Sequence, residues 1–426
     1  MIDEQHFNNE DKGILIVTFS RNCNLGGALQ EFALYAFLKN YRKVKCLNYR
    51  NELAASLLKP IRIGFLIKAK MIVISTTKSF FKKKSDATKE EKHASLLSPR
   101  LLLKEIVERL YLMLSDIVHF GQRKRMIKNY LDFWNNYVQY TDEFTDWQLK
   151  DEDVIKKLFG DYDVCISGSD QIWNPVYVGV SPIYFLGFVQ SGTKKASYAS
   201  SFGNYKFSSE TLNSRIATYL SDFYSIGVRE NYSVKHLKDK CNIQAKCVLD
   251  PTLLLSKDEW CKLLGAELSG RTPFLLVYAL GNRRVILPFA KRVGQHLNLN
   301  VVVIDTKFFL DFRNSSFEYV PSAGPKELIE LYSQASFVIA NSFHGTAFAV
   351  NFNIPFFSFE SRTGERAKAF LETVKLSDRL ISDCKNVDLS SVEMDFTHAN
   401  KILAQEREQS IEYLEKIINL NAEGVQ

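Results

Sequence analysis

The chain of 426 residues has no C-x-x-C pair, and its seven cysteines stand apart at 23, 46, 165, 241, 247, 261 and 384. An odd number without paired spacing argues against a structural zinc site or a disulfide framework, and for a reduced, cytoplasmic compartment. No uncharged apolar run approaches the roughly 18 to 20 residues of a membrane span. The segment Met1 to Lys12 is polar and acidic, so no signal peptide is expected. There is no P-loop and no full G-x-G-x-x-G, which weighs against a nucleoside triphosphatase and a dinucleotide oxidoreductase. No cluster of metal ligands and no short internal repeat stands out, so neither a metal nor a cofactor is expected. The net charge of +7 is modest for this length. It does not indicate nucleic acid, but it suits a small anionic substrate or an anionic membrane surface.

What is present is a globular composition, 46% hydrophobic and 24% charged, on a chain long enough for two domains. The 31 phenylalanines favour ample core or a sugar-stacking surface. Gly13 to Phe19 reads as a buried strand, Ala28 to Lys39 as a helix and Val44 to Tyr49 as a strand, so the chain opens as a βαβ unit. In the loop between, Asn24, Gly26, Gly27 and Gln30 are candidate ligand contacts, because glycine lets backbone approach a ligand closely. A plain βα turn has the same pattern.

From Ala54 to Ser85 there are eight basic residues (Lys59, Arg62, Lys68, Lys70, Lys78, Lys82, Lys83, Lys84) and no acidic one, interleaved with apolar residues. Such a segment can lie on an anionic membrane, or be a solvated helical hairpin or a disordered excursion. It opens a helical insertion over about 54–140, with further helices over Leu101 to Leu114 and Arg123 to Tyr137.

The α/β theme then resumes. The strand Asp163 to Ser167 delivers Gly168-Ser169-Asp170-Gln171-Ile172-Trp173-Asn174-Pro175, a turn dense in hydrogen-bonding groups. Asp170 can act as a general base toward a sugar hydroxyl or as a cap or loop brace. Trp173 can stack on a sugar or fill core. Tyr224 to Val228 delivers Arg229-Glu230; an arginine fork there suits a carboxylate or phosphate, unless it pairs with Glu230 or another acid. A short strand, Ala245 to Leu249, and Asp250-Pro251-Thr252 close the half.

In the second half one stretch organises the rest. Phe337 to Ala340 fits a buried strand, Asn341 to Gly345 a polar turn and Thr346 to Val350 a helix start. Free N–H groups at such a turn can receive an anion. His344 lies beyond the carboxyl end of the strand, where α/β proteins gather working groups; it can also simply fill the turn.

In order, these segments resemble the polysaccharide pyruvyl transferase family. Asn24-Leu25-Gly26-Gly27-Ala28-Leu29-Gln30, Ile166 to Pro175, Ser197 to Gly203, Val228-Arg229-Glu230, Leu249-Asp250-Pro251-Thr252 and Asn341-Ser342-Phe343-His344-Gly345-Thr346 form the series. The insertion and the C-terminal tail lie outside it. Some members carry Arg-x-His at the last motif; here Ser342 holds the arginine's place. The resemblance implies an α/β fold of two Rossmann-like domains facing a cleft, as in GT-B glycosyltransferases. The expected parts are 1–253 with the insertion, 254–396, and a C-terminal helix over 397–426.

The resemblance also implies transfer of a pyruvyl group from phosphoenolpyruvate, a co-substrate, to a sugar or lipid-linked oligosaccharide acceptor, giving a ketal. His344 is then the expected acid, Asp170 the base and Arg229 a donor contact, helped by N–H groups around Gly345 and Thr346. Ser169, Gln171, Trp173, Asn174, Asn341 and Ser342 join Asn24, Gly26, Gly27 and Gln30 as substrate contacts. The expected location is cytoplasmic, with peripheral membrane contact through the basic segment. The alternatives are a GT-B-like glycosyltransferase using a nucleotide sugar and a non-catalytic glycan-binding relative.

Overall fold

The computed structural model describes residues 12–49, 119–145, 148–266, 270–306, 315–359 and 365–418. The basic segment 54–85 and the expected helix Leu101 to Leu114 lie outside these. Two parallel sheets form the framework. The first contains β1 (Gly13–Val17), β2 (Val44–Tyr49), β3 (Tyr140–Phe144), β4 (Tyr162–Ser167), β5 (Lys194–Ser200), β6 (Ser225–Val228) and β7 (Lys246–Cys247), in the order β3-β2-β1-β4-β5-β6-β7. The second contains β8 (Phe274–Tyr278), β9 (Asn300–Ile304), β10 (Glu318–Val320), β11 (Phe337–Ala340), β12 (Phe356–Phe359) and β13 (Leu380–Ile381), in the order β10-β9-β8-β11-β12-β13. Both orders reverse direction beside their first strand, between β1 and β4 and between β8 and β11. Open α/β sheets bind ligands at such switch points.

The strands are apolar because both faces of each sheet are covered. Ile14, Leu15 and Ile16 are fully buried, as are Leu275, Leu276 and Val277. Helix Phe120–Tyr137 is no separate appendage: it precedes β3, which pairs in parallel with β2 at the sheet edge. Helix Leu25–Lys39 is buried from Leu25 to Leu38, because it lies between the first sheet and the second lobe. Its Phe32 packs on Phe133, Tyr137 and Trp260, and Trp260 in turn meets Phe348 of the second lobe edge-on. One hydrophobic cluster thus runs through both lobes. A large apolar interface of this kind holds domains in register.

After β13 the chain returns to the first sheet as helix Thr397–Ile418. There Tyr413 donates to the Ser197 carbonyl at 2.9 Å, and Ser410 Oγ accepts from the Leu249 N–H at 3.0 Å. Arg407 donates both to the Leu253 carbonyl (2.7 Å) and to Asn351 Oδ1 of the second lobe (2.9 Å).

Candidate active site

The carboxyl ends of β1, β4 and β6 converge on the seam between the lobes. Asn24 caps helix Leu25–Lys39, its Oδ1 accepting from the Gly27 N–H at 3.2 Å. One turn on, Gln30 Nε2 donates to Thr18 Oγ1 (3.2 Å) and to the Gly27 carbonyl (3.0 Å). Thr18 Oγ1 donates to the Ser169 carbonyl at 2.8 Å, tying the β1 loop to the β4 loop. Asp170 follows with φ 74° and ψ 179°. That backbone region is essentially glycine's, and a non-glycine residue there carries about 1–3 kcal/mol of strain that surrounding structure must over-determine. Here the Gln171 N–H donates to Asp170 Oδ1 (2.8 Å) and the Ser201 N–H to its carbonyl (2.9 Å).

Behind Asp170 lies a buried charge cluster. Arg229, directly after β6, donates through Nη1 to Asp250 Oδ2 at 2.7 Å and through Nε to Glu230 Oε1 at 3.3 Å. Its Nη2 lies 3.7 Å from Asp170 Oδ1. Asp250 also accepts from Ser169 Oγ (3.0 Å) and from the Thr252 N–H and hydroxyl (3.0 and 2.7 Å). Burial opposes ionisation of Asp250, but His344 and Arg229 outweigh it and hold this carboxyl well below the usual range. For Glu230 burial wins over Arg229 and Ser201, and its carboxyl is pushed up. The cluster therefore keeps Arg229 charged and fixed.

The second lobe supplies the imidazole. Ser342 caps helix Phe343–Asn351, its Oγ accepting from the Gly345 N–H at 2.9 Å. His344 projects across the seam onto Gly26, where an added Cβ would lie 2.5 Å from the imidazole Cγ and 2.7 Å from Cε1. Two helix N-termini, each a locus of positive potential, thus meet at Gly26 and His344. The ring's Nε2 faces Asp250 Oδ2 at 3.7 Å, beyond hydrogen-bond length. Both His344 Nε2 and Arg229 Nη2 are buried without a hydrogen-bond partner. The Phe343 ring beside them receives the Arg229 guanidinium at 4.8 Å from its centroid.

The structure thus brings His344, Asp170 and Arg229 to one place, with Asn24, Gly26, Gly27, Gln30, Ser169 and Ser342 around them. Several expectations need correction. Arg229 is not a free anion receptor, since buried carboxylates engage two of its nitrogens. Nor are the N–H groups of Gly345 and Thr346 open to an anion: both donate to Ser342, the second to its carbonyl at 3.1 Å. Trp173 offers no face to a sugar. It is fully buried, stacked on Phe185 at 5.0 Å, with its N–H donated to the Tyr184 carbonyl at 2.8 Å. Asn341 braces the loop after β8, accepting from the Leu280 N–H (2.8 Å) and donating to the Gly281 carbonyl (3.0 Å). Asn174 donates to Gln171 Oε1 at 2.9 Å, and this pair packs where a side chain at Gly203, which has a positive φ of 62°, would otherwise lie.

Three residues escaped the sequence reading. Asp250, placed in the motif series and at the close of the half but given no role, is the central anion. Glu31 is an acid inside an apolar helical run, fully buried, and burial pushes its carboxyl up to about 7 against bonds from Ser20 and Tyr140. Arg366, the second residue of helix Glu365–Thr373, reaches within 3.9 Å of Asp170 Oδ1 and 6.0 Å of the Phe343 ring centroid.

Two Rossmann-ordered sheets closing on a charged seam define a two-lobed α/β protein of the GT-B type. The chain belongs to the polysaccharide pyruvyl transferase family, whose model matches residues 24–362. It is accordingly a transferase. No curated protein matches the chain. Solved structures similar to it include the UDP-GlcNAc 2-epimerase of Methanocaldococcus jannaschii, 9% identical, with 94% of this chain and 91% of that one covered and a TM-score of 0.46. A putative UDP-N-acetylglucosamine 2-epimerase of Listeria monocytogenes is 8% identical, with coverages of 95% and 96% and a TM-score of 0.47. At these values the likeness says nothing of chemistry. Among the described residues no helix is long and apolar enough to cross a membrane, and no group of acidic, histidine and cysteine side chains is arranged to hold a metal ion.

Proposed function

We propose that the seam binds phosphoenolpyruvate and transfers its pyruvyl group to two hydroxyls of a sugar, in a surface polysaccharide or its lipid-linked precursor. Beside family membership, the supporting observation is the meeting of His344, Arg229, Asp250 and Asp170 at one seam, with two buried donor nitrogens unpartnered. His344, as imidazolium, gives a proton to the methylene carbon of the enol. The adjacent carbon, now electron-poor, is attacked by the first hydroxyl, whose proton passes to Asp170. The bond from that carbon to the phosphate oxygen breaks, phosphate leaves with the electron pair and takes up the second proton, and the second hydroxyl closes the ketal. Asp250 is the carboxylate that faces the imidazole, 3.7 Å from its Nε2. The basic segment 54–85 would hold the chain at an anionic cytoplasmic bilayer surface, where a lipid-linked acceptor resides.

Incubation with phosphoenolpyruvate and a glycan acceptor is expected to release phosphate and add mass to the glycan together. Release of nucleoside diphosphate from a nucleotide sugar, with phosphoenolpyruvate untouched, would overturn the reading. Binding of glycan with no turnover of either donor would do so equally.

A further inference from the structure

We propose that Arg366 is the residue that grips the anionic end of the donor, its carboxylate or its phosphate. The inference rests on phosphoenolpyruvate being that donor. The donor carries two anionic groups, and the seam must meet them with cations that are not already engaged. Arg229 does not qualify: its side chain is 2% exposed and bonded to Asp250 and Glu230. Position 342, where the Arg-x-His pattern would place a guanidinium, holds a serine engaged in capping its own helix. Arg366 differs from both. Its side chain is 14% exposed, and its nearest acid, Asp170 at 3.9 Å, is too far for a hydrogen bond. Among the described residues no hydrogen bond commits its fork.

The location is also right. Arg366 and Arg229 both lie against the Phe343 ring, next to the imidazole. Phe370, one turn along from Arg366, packs on Phe343 and fixes this helix to the site. Burial, and then the like charge of Arg229, pull the Arg366 guanidinium down from its ordinary range. A guanidinium in that position is short of negative charge, and a bidentate carboxylate or phosphate supplies it. Arg229 Nη2, unpartnered, lies 3.7 Å from the same Asp170 oxygen that Arg366 approaches at 3.9 Å, so the two guanidinium groups flank one spot. Arg366 would thus stand in for the cation absent at 342, approaching from the next helix.

The test compares wild type with Arg366→Ala, Arg366→Lys and the double variant Arg366→Ala with Ser342→Arg. Folding is checked by circular dichroism and thermal melts. For Arg366→Ala we expect KM for phosphoenolpyruvate to rise about ten- to a hundredfold, the worth of a charge-assisted hydrogen-bond pair, with a smaller change in kcat. Lysine should restore part of the affinity, and arginine at 342 should restore some of it from the other side. Equilibrium titrations with phosphoenolpyruvate, pyruvate and inorganic phosphate identify the group held, since affinity for only one of the two smaller anions should fall in Arg366→Ala. If folded Arg366→Ala binds and turns over phosphoenolpyruvate within twofold of wild type, the inference falls and the transfer reaction stands. If wild type itself neither binds nor consumes phosphoenolpyruvate, the donor assignment falls and takes this inference with it.

Discussion

Replacing Gly26 by alanine separates the chemistry of the seam from the stability of the fold. Locally the change is favourable: Gly26 lies within helix Leu25–Lys39 and has no left-handed φ, and alanine for glycine inside a helix gains about 1 kcal/mol. Across the seam it is not. The new Cβ would stand 2.5 Å from the His344 Cγ and closer still to its Nδ1, where ordinary contact begins at 3.4 Å, so the ring must retreat by more than about 1 Å. A misplacement of about 1 Å in a catalytic group costs on the order of 10²-fold in rate. Overpacking costs about 1–3 kcal/mol, and the buried imidazole has to absorb it, so the helical gain offsets part of the cost. The expected result is a melting temperature within a few degrees of wild type and phosphate release slowed by about 10²-fold or more. The assay is continuous phosphate detection under saturating donor and acceptor. Because the effect acts through the ring, adding Gly26→Ala to His344→Ala should cost little beyond His344→Ala alone. Turnover of Gly26→Ala within threefold of wild type would mean that the His344 ring does not work against Gly26.

Trp173→Ala should cost about 3–5 kcal/mol of stability, as for large buried aromatics, read from the urea midpoint; a shift under 1 kcal/mol would return Trp173 to the list of ligand contacts. Asp250→Asn should weaken the fold by about 3–5 kcal/mol by leaving Arg229 short of its main counter-charge, and an unchanged denaturation curve would contradict the cluster described. Wild-type Asp250, with its carboxyl held low, contributes stability that is present above the ordinary carboxylate range and lost as pH falls through its own titration. Glu31 works in the opposite sense. Its carboxyl, raised from 4.5 to about 7, favours the fold while protonated, so stability should decline by up to about 3 kcal/mol as pH rises between those values. Glu31→Gln should flatten that stretch of the profile, and a slope identical to wild type would rule the acid out as its source.

The strands were legible because parallel sheets covered on both faces need runs such as Ile14-Leu15-Ile16-Val17, and such runs announce themselves. The turns that carry His344, Asp170 and Arg229 were legible for the same reason: each follows directly on a run of that kind. What each turn residue does was not legible. Asn341 and Trp173 have the chemistry of ligand contacts, and only the path of neighbouring loops decides that one braces Leu280 and Gly281 and the other is enclosed. Arg229 beside Glu230 hinted at an ion pair, but its stronger partner, Asp250, is brought in by the next strand. Arg366 stands in a helix whose sequence is that of any charged surface helix; its approach to Asp170 is set by tertiary packing through Phe370 and Phe343. Glu31 was the opposite case, a visible anomaly in an apolar helix that the reading passed over.

The return of the C-terminal helix to the first sheet means that the polypeptide bridges the two lobes twice. A body joined by one strap can swivel; one joined by two can only rock about the line through them. Arg407 clasps Leu253 on one strap and Asn351 on the far side, so it sits on that line. With the apolar cluster shared between the lobes, the two crossings hold the imidazole over Gly26 in a single register.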